Sequence, residues 1–161
     1  MAYFELLSVS HLVDVHYNHK YMDKVTSWVK IVIVEDEVSL ADIYKTRLEL
    51  LGYVCFVAHD GLEALTLIEK ERPSLLLLDI MLPKLAGDQI LKVLRSTEWG
   101  KDIKVLVISN LNEADAPEVR SLGIEGYAVK ANLIDNQIDK LVDDILKPQN
   151  QTEDVTLETV N

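Results

Sequence analysis

Two short runs of unbroken aliphatic residues, Ile31-Val32-Ile33-Val34 and Leu75-Leu76-Leu77-Leu78, constrain this chain more than any other feature. Four consecutive large apolar residues leave no polar face for solvent. A strand made of them must be covered on both sides, as in a parallel sheet flanked by helices. Each run stops at carboxylates: Glu35-Asp36-Glu37 after the first and Asp79 after the second. Open α/β folds gather their strand ends at one sheet edge and place their sites there. Two buried strands that end in carboxylate suggest a site of hard oxygen ligands, and Mg²⁺ suits it.

From Lys30 onward, strands and helices alternate. A helix over Ser39–Leu51 is expected to bury Leu40, Ile43, Leu48 and Leu51, with Gly52 ending it. Tyr53–Ala58 reads as a second strand. Asp60 and Glu63 make a capping-box start for a helix running to about Arg72. A helix over Asp88–Ser96, bearing Ile90, Leu91, Val93 and Leu94, follows the Leu75–Leu78 strand. Ile103–Ile108 is a fourth strand. Residues 114–122 form a weaker helix, with Pro117 tolerated only in its first turn. Gly126–Val129 is a short fifth strand. Leu133–Leu146 is an amphipathic helix with Ile134, Ile138, Leu141, Val142 and Ile145 on one face, stopped by Pro148. The alternation specifies an α/β sandwich built from right-handed crossovers. It brings Asp36, Asp79, Ser109 and Lys130 to one edge, although they are scattered in sequence.

Composition narrows the function. A net charge of −11 speaks against non-specific nucleic-acid binding and against adhesion to an anionic membrane. No apolar stretch approaches the roughly 18 residues needed to cross a bilayer. The N-terminus does not read as a signal peptide, because Glu5 and Asp14 interrupt it and no basic region precedes them. The single cysteine, Cys55, reads as a small buried thiol and fits a reducing compartment. His11, His16 and His19 match no zinc spacing.

Four segments together carry a specific resemblance. They are Ile31–Glu37, Leu78-Asp79-Ile80-Met81-Leu82-Pro83, Val107-Ile108-Ser109 and Gly126-Tyr127-Ala128-Val129-Lys130. In order, strand context and spacing they resemble the receiver domain of two-component response regulators, over roughly residues 30–147. The resemblance implies a flavodoxin-like (βα)5 fold: a three-layer sandwich around a parallel five-stranded sheet of order 2-1-3-4-5. It implies that Asp79 accepts a phosphoryl group from a histidine kinase or phosphotransfer protein. Asp36, Asp79 and the Met81 backbone carbonyl would hold Mg²⁺, with Glu35 acting directly or through water. Lys130 and Ser109 would contact the phosphoryl oxygens, and Ser109 with Tyr127 would form the switch. Such a domain is a signalling switch, not an enzyme, although it catalyses its own phosphoryl transfer and dephosphorylation.

Three positions depart from the family pattern: Ala131 replaces the usual proline, Asn110 the usual small residue, and Ala86 an often polar one. The Lys130–Ala131 bond is expected to be trans, since a non-proline cis bond costs about 2.5–4 kcal/mol. Without metal, the acidic groups should repel one another and raise at least one carboxyl's pKa.

Residues 1–29 read as an N-terminal extension, with Met22 an alternative start, and 148–161 as a disordered acidic tail. No second folded unit is evident, so the expectation is a stand-alone, cytoplasmic receiver. It would act through a downstream protein target without direct DNA or membrane binding. Two other readings stay open. One is an adaptor that is never phosphorylated. The other is a Mg²⁺-dependent aspartyl-phosphate phosphatase, although Met81 stands where such enzymes carry a second Asp.

Overall fold

The computed structural model describes residues 29–133 and 137–146. The three N-terminal histidines, Met22, Ile134 and the acidic tail lie outside them. The elements are β1 (Lys30–Val34), α1 (Val38–Leu50), β2 (Val54–Ala58), α2 (Gly61–Glu71) and β3 (Leu75–Leu78). They continue with α3 (Gly87–Ser96), β4 (Lys104–Ser109), α4 (Pro117–Ser121), β5 (Gly126–Val129) and α5 (Gln137–Leu146). The strands form one sheet of order β2-β1-β3-β4-β5, and every pairing is parallel.

The two aliphatic runs sit at the sheet's centre because both of their faces are covered. Ile31, Ile33, Leu75, Leu77, Leu106 and Ile108 pack with Tyr44 and Leu48 of α1 and with Ile138 and Val142 of α5. Val32, Val34, Leu76, Leu78, Val105 and Val107 pack on the other side with residues of α2, α3 and α4. Successive strand residues therefore serve opposite layers, as the pleat requires.

The buried face of α1 differs from the one expected. Ala41, Tyr44 and Leu48 are buried, whereas Ile43 and Leu51 are 54% and 42% exposed. Positions 41, 44 and 48 share one face at helical spacing, and Ile43 falls about 100° round the helix from Tyr44. Val93 of α3 is likewise exposed, while Ile90, Leu91 and Leu94 are buried. The weak helix resolves into a single 3-10 turn, Glu113–Asp115, followed by the five-residue α4, with Pro117 at its start.

Asp60 caps α2 as expected, its Oδ1 accepting from the Leu62 and Glu63 amides at 3.0 and 2.9 Å. The reciprocal bond is displaced by one residue: the Glu63 carboxylate accepts from the His59 amide at 2.8 Å. Helix α5 is tied down by Arg47–Asp139, at 3.0 and 2.6 Å, and by Tyr53 donating to Asp143 at 2.9 Å. Cys55 is buried, and burial pushes its thiol up to about 12, consistent with an inert core residue.

Candidate functional site

The parallel register brings the expected residues to one edge. The Val34↔Leu78 pairing sets Glu35 and Asp79 side by side, one step beyond their strands. Their amides stay in the sheet: Glu35 N–H donates to the Ala58 carbonyl and Asp79 N–H to the Val34 carbonyl, both at 3.0 Å. The Ser109↔Val129 pairing places Lys130 immediately past β5.

Lys130 reaches back across the sheet edge. Its Nζ lies 2.5 Å from Asp79 Oδ2, and 2.8 and 2.7 Å from the two Glu35 oxygens. Glu35 and Asp79 are only 2% and 4% exposed, so the three charges compensate one another away from bulk water. The other Asp79 oxygen, Oδ1, accepts from the Met81 amide at 3.0 Å. The described chain has no cis peptide bond. Lys130 therefore makes its contacts with a trans bond to Ala131, and the missing proline does not shorten its reach.

Asp36 is exposed beside this pair. Carboxylate oxygens of Glu35, Asp36 and Asp79 all lie within 4.8 Å of one another. Three oxygen donors at that spacing, open to solvent on the Asp36 side, fit a hard divalent cation that keeps several waters.

Burial raises the Glu35 carboxyl above its ordinary 4.5; Lys130 opposes this, and the Asp79 charge adds a smaller upward push. A raised carboxyl was expected from repulsion between the acids, but desolvation is the larger cause. Burial alone would lower the Lys130 ammonium. Its bonds to Asp79 and Glu35 outweigh that and hold it above 10.5, so it stays charged. Tyr44, packed against the same pocket, is pushed up to about 12, first by burial and then by the Glu35 charge.

The Glu35 shift has a measurable sign. A carboxyl raised in the folded state binds protons that the unfolded chain has already released. Its contribution to stability therefore falls as pH rises from 4.5 through the folded value. Glu35→Gln should flatten that fall in denaturant melts taken from pH 4.5 to neutrality. An undiminished slope would assign the titration to another group.

At the β4 end, Ser109 is fully buried. Its Oγ accepts from the Leu111 amide at 3.3 Å, while the Tyr127 hydroxyl donates to the Leu111 carbonyl at 3.0 Å. The two expected switch residues thus hold the same residue of the loop after β4, one from each side of its backbone. Asn110 between them is exposed.

The family model for the response regulator receiver domain matches residues 31–144. The chain belongs to this family. Among relatives of the receiver, a Cyanophora paradoxa protein described as "Probable transcriptional regulator ycf27" is 40% identical over 102 residues, 63% of this chain and 41% of the relative. The receiver domain of the Francisella response regulator 1452 is 30% identical, with a TM-score of 0.63, over 71% of this chain and 93% of that one. Response regulator TrrA of Thermotoga maritima, solved in complex with Mg²⁺ and BeF, is 25% identical with a TM-score of 0.64. That match covers 73% of this chain and 99% of TrrA. The chain spans about two fifths of the length of curated relatives such as the Cyanophora protein. Among the described residues, no helix is long and apolar enough to cross a membrane.

Two features of the receiver site gave no signal in the motif reading. His59 Nδ1 lies 2.9 Å from the Glu35 carbonyl, pairing residues 24 apart in sequence. Gly87 lies against the Asp79 backbone: a Cβ there would sit 2.3 Å from the Asp79 carbonyl oxygen. Its small size follows from that close approach.

Proposed function

We propose that this receiver takes a phosphoryl group on Asp79 from the phosphohistidine of a histidine kinase or phosphotransfer protein, and that the modified form changes its protein partners. The observation that carries the reading is the pairing of Asp79 Oδ2 with Lys130 Nζ at 2.5 Å, beside the Glu35–Asp36 carboxylates. An Asp79 oxygen attacks phosphorus, the P–N bond breaks with its electron pair going to the imidazole, and an acyl phosphate forms. Glu35, Asp36, Asp79 and the Met81 carbonyl would hold Mg²⁺, which supplies charge neutralisation for the phosphoryl oxygens when bound.

The chain's own groups do the positioning. Lys130 is pre-placed to follow charge as it moves from the Asp79 carboxylate to the phosphoryl oxygens, with little rearrangement during transfer. The buried Ser109 hydroxyl accepts from Leu111 and keeps its own proton to donate to a phosphoryl oxygen. Drawing Ser109 toward that oxygen pulls on the Leu111 backbone that Tyr127 also holds. Output runs through a protein target of this cytoplasmic receiver, without DNA contact by the acidic domain itself.

Mg²⁺-dependent, one-to-one capture of beryllofluoride, followed by ¹⁹F NMR, tests the reading. Bound fluoride signals that vanish on chelation support it; their absence removes it. Continuous turnover of acetyl phosphate without a stable adduct would favour a phosphatase. Ser109→Ala should retain beryllofluoride capture and lose most of the phosphorylation-dependent partner binding. A hydrogen bond to a charged acceptor contributes about 1.5–3 kcal/mol, comparable to the gap between two switch states. Undiminished phosphorylation-dependent binding by Ser109→Ala would contradict the Ser109 role.

A further inference from the structure

We infer that the Asp60–Lys84 ion pair is a positioning device for the phosphoryl acceptor, acting through the loop between β3 and α3. The inference rests on the receiver reading and extends it to residues outside the acidic pocket. Lys84 Nζ lies 2.5 Å from Asp60 Oδ2. Asp60 is itself immobilised as the α2 cap, its other oxygen holding the Leu62 and Glu63 amides. Lys84 adopts φ 65, a left-handed backbone rare for residues other than glycine. The loop meets α2 through backbone as well: Gly61 N–H donates to the Pro83 carbonyl at 3.2 Å. A Cβ on Gly61 would fall 2.0 Å from the Leu85 carbonyl oxygen, so the loop rests directly on the helix start.

What is fixed at residues 83–85 is carried to the acceptor by a tightly bonded loop. Leu85 N–H donates to the Pro83 carbonyl at 2.8 Å, and the Leu82 and Gly87 amides donate to the Ile80 carbonyl at 3.2 and 3.0 Å. Between these bonds lies Met81, whose amide holds Asp79 Oδ1. Lys130 holds Oδ2. The carboxylate's orientation is thus set by one donor on each oxygen, and the pair steadies the Met81 side. The positive φ of Lys84 belongs to the tight turn closed by the Pro83–Leu85 bond, which aims its side chain at Asp60.

Asp60→Asn isolates the charge, because asparagine retains the helix cap; Lys84→Met removes the other partner. In metal-free protein, NMR hydrogen exchange at the Met81 amide should quicken in both variants, by up to about fivefold for the loss of one exposed ion pair. Mg²⁺ titration by calorimetry should weaken by a similar factor, and Lys84→Arg should restore both. Core amides of β1 and β3 should exchange as before. Unchanged Met81 exchange in both variants would overturn the inference. So would a uniform quickening of all amides, since the pair would then only stabilise the fold. If the unaltered protein binds no Mg²⁺, the proposed Mg²⁺-dependent phosphoryl acceptance fails, and Met81 exchange still decides whether the Asp60–Lys84 pair steadies the loop.

Discussion

Lys130→Met should destabilise the metal-free protein by about 3 kcal/mol in denaturant melts, and millimolar Mg²⁺ should recover most of that loss. The ammonium is the countercharge to two carboxylates that are nearly sealed from water. Removing one partner of a buried pair costs about 3–5 kcal/mol, because the other charge stays buried. The low end applies here, since burial raises the Glu35 carboxyl and so eases its uptake of a proton once the ammonium is gone. Methionine keeps the length and apolar stem of lysine, so the change reports charge more than packing. Mg²⁺ would replace the lost positive charge and bind the folded state alone, stabilising it by mass action. A variant as stable as the parent without metal would mean that the pocket's carboxylates are neutral, and the site would have to be redrawn.

Asp79→Asn should reduce labelling by acetyl phosphate, or by a phosphorylated histidine kinase, to background. The amide has the same shape but no nucleophilic carboxylate oxygen. Its fold should survive, because the backbone bond from Asp79 to Val34 does not depend on the side chain. Losing one of two buried carboxylates also leaves Lys130 with Glu35 alone. Glu35 and Asp36 offer no substitute: the first is buried behind Lys130, and the second lies on the solvent side of the cluster. Stoichiometric labelling of the variant would place the acceptor elsewhere.

The central strands and the site were legible because they share one cause. An aliphatic run such as Leu75–Leu78 has only one environment in which it is comfortable, and a carboxylate at its end marks the sheet edge. Ser109 and Lys130 followed from the same placement at strand ends. The α1 face differs from the expected one because Ala41 and Tyr44, which share a face with Leu48, carry a weaker apolar signal than Ile43. Residues near α4 gave a blurred signal because the element is only a short turn of helix beside a 3-10 turn. The cause of the Glu35 shift needed the burial of the pocket, which a local pattern of acids does not carry. Asp60–Lys84 and the Tyr127 hold on Leu111 join residues 24 and 16 apart in sequence, with no periodicity to announce them.

The most direct test is to trap the acyl phosphate itself. The protein is treated with acetyl phosphate and Mg²⁺, reduced with borohydride, digested and sequenced by mass spectrometry. Borohydride converts an aspartyl phosphate to homoserine and leaves free carboxylates untouched. A single homoserine at Asp79, absent when Mg²⁺ is chelated, is the predicted result. Homoserine at Asp36 or another aspartate, the five-carbon alcohol 5-hydroxynorvaline at Glu37 or another glutamate, or no reduced residue at all with active reagent, would contradict the account.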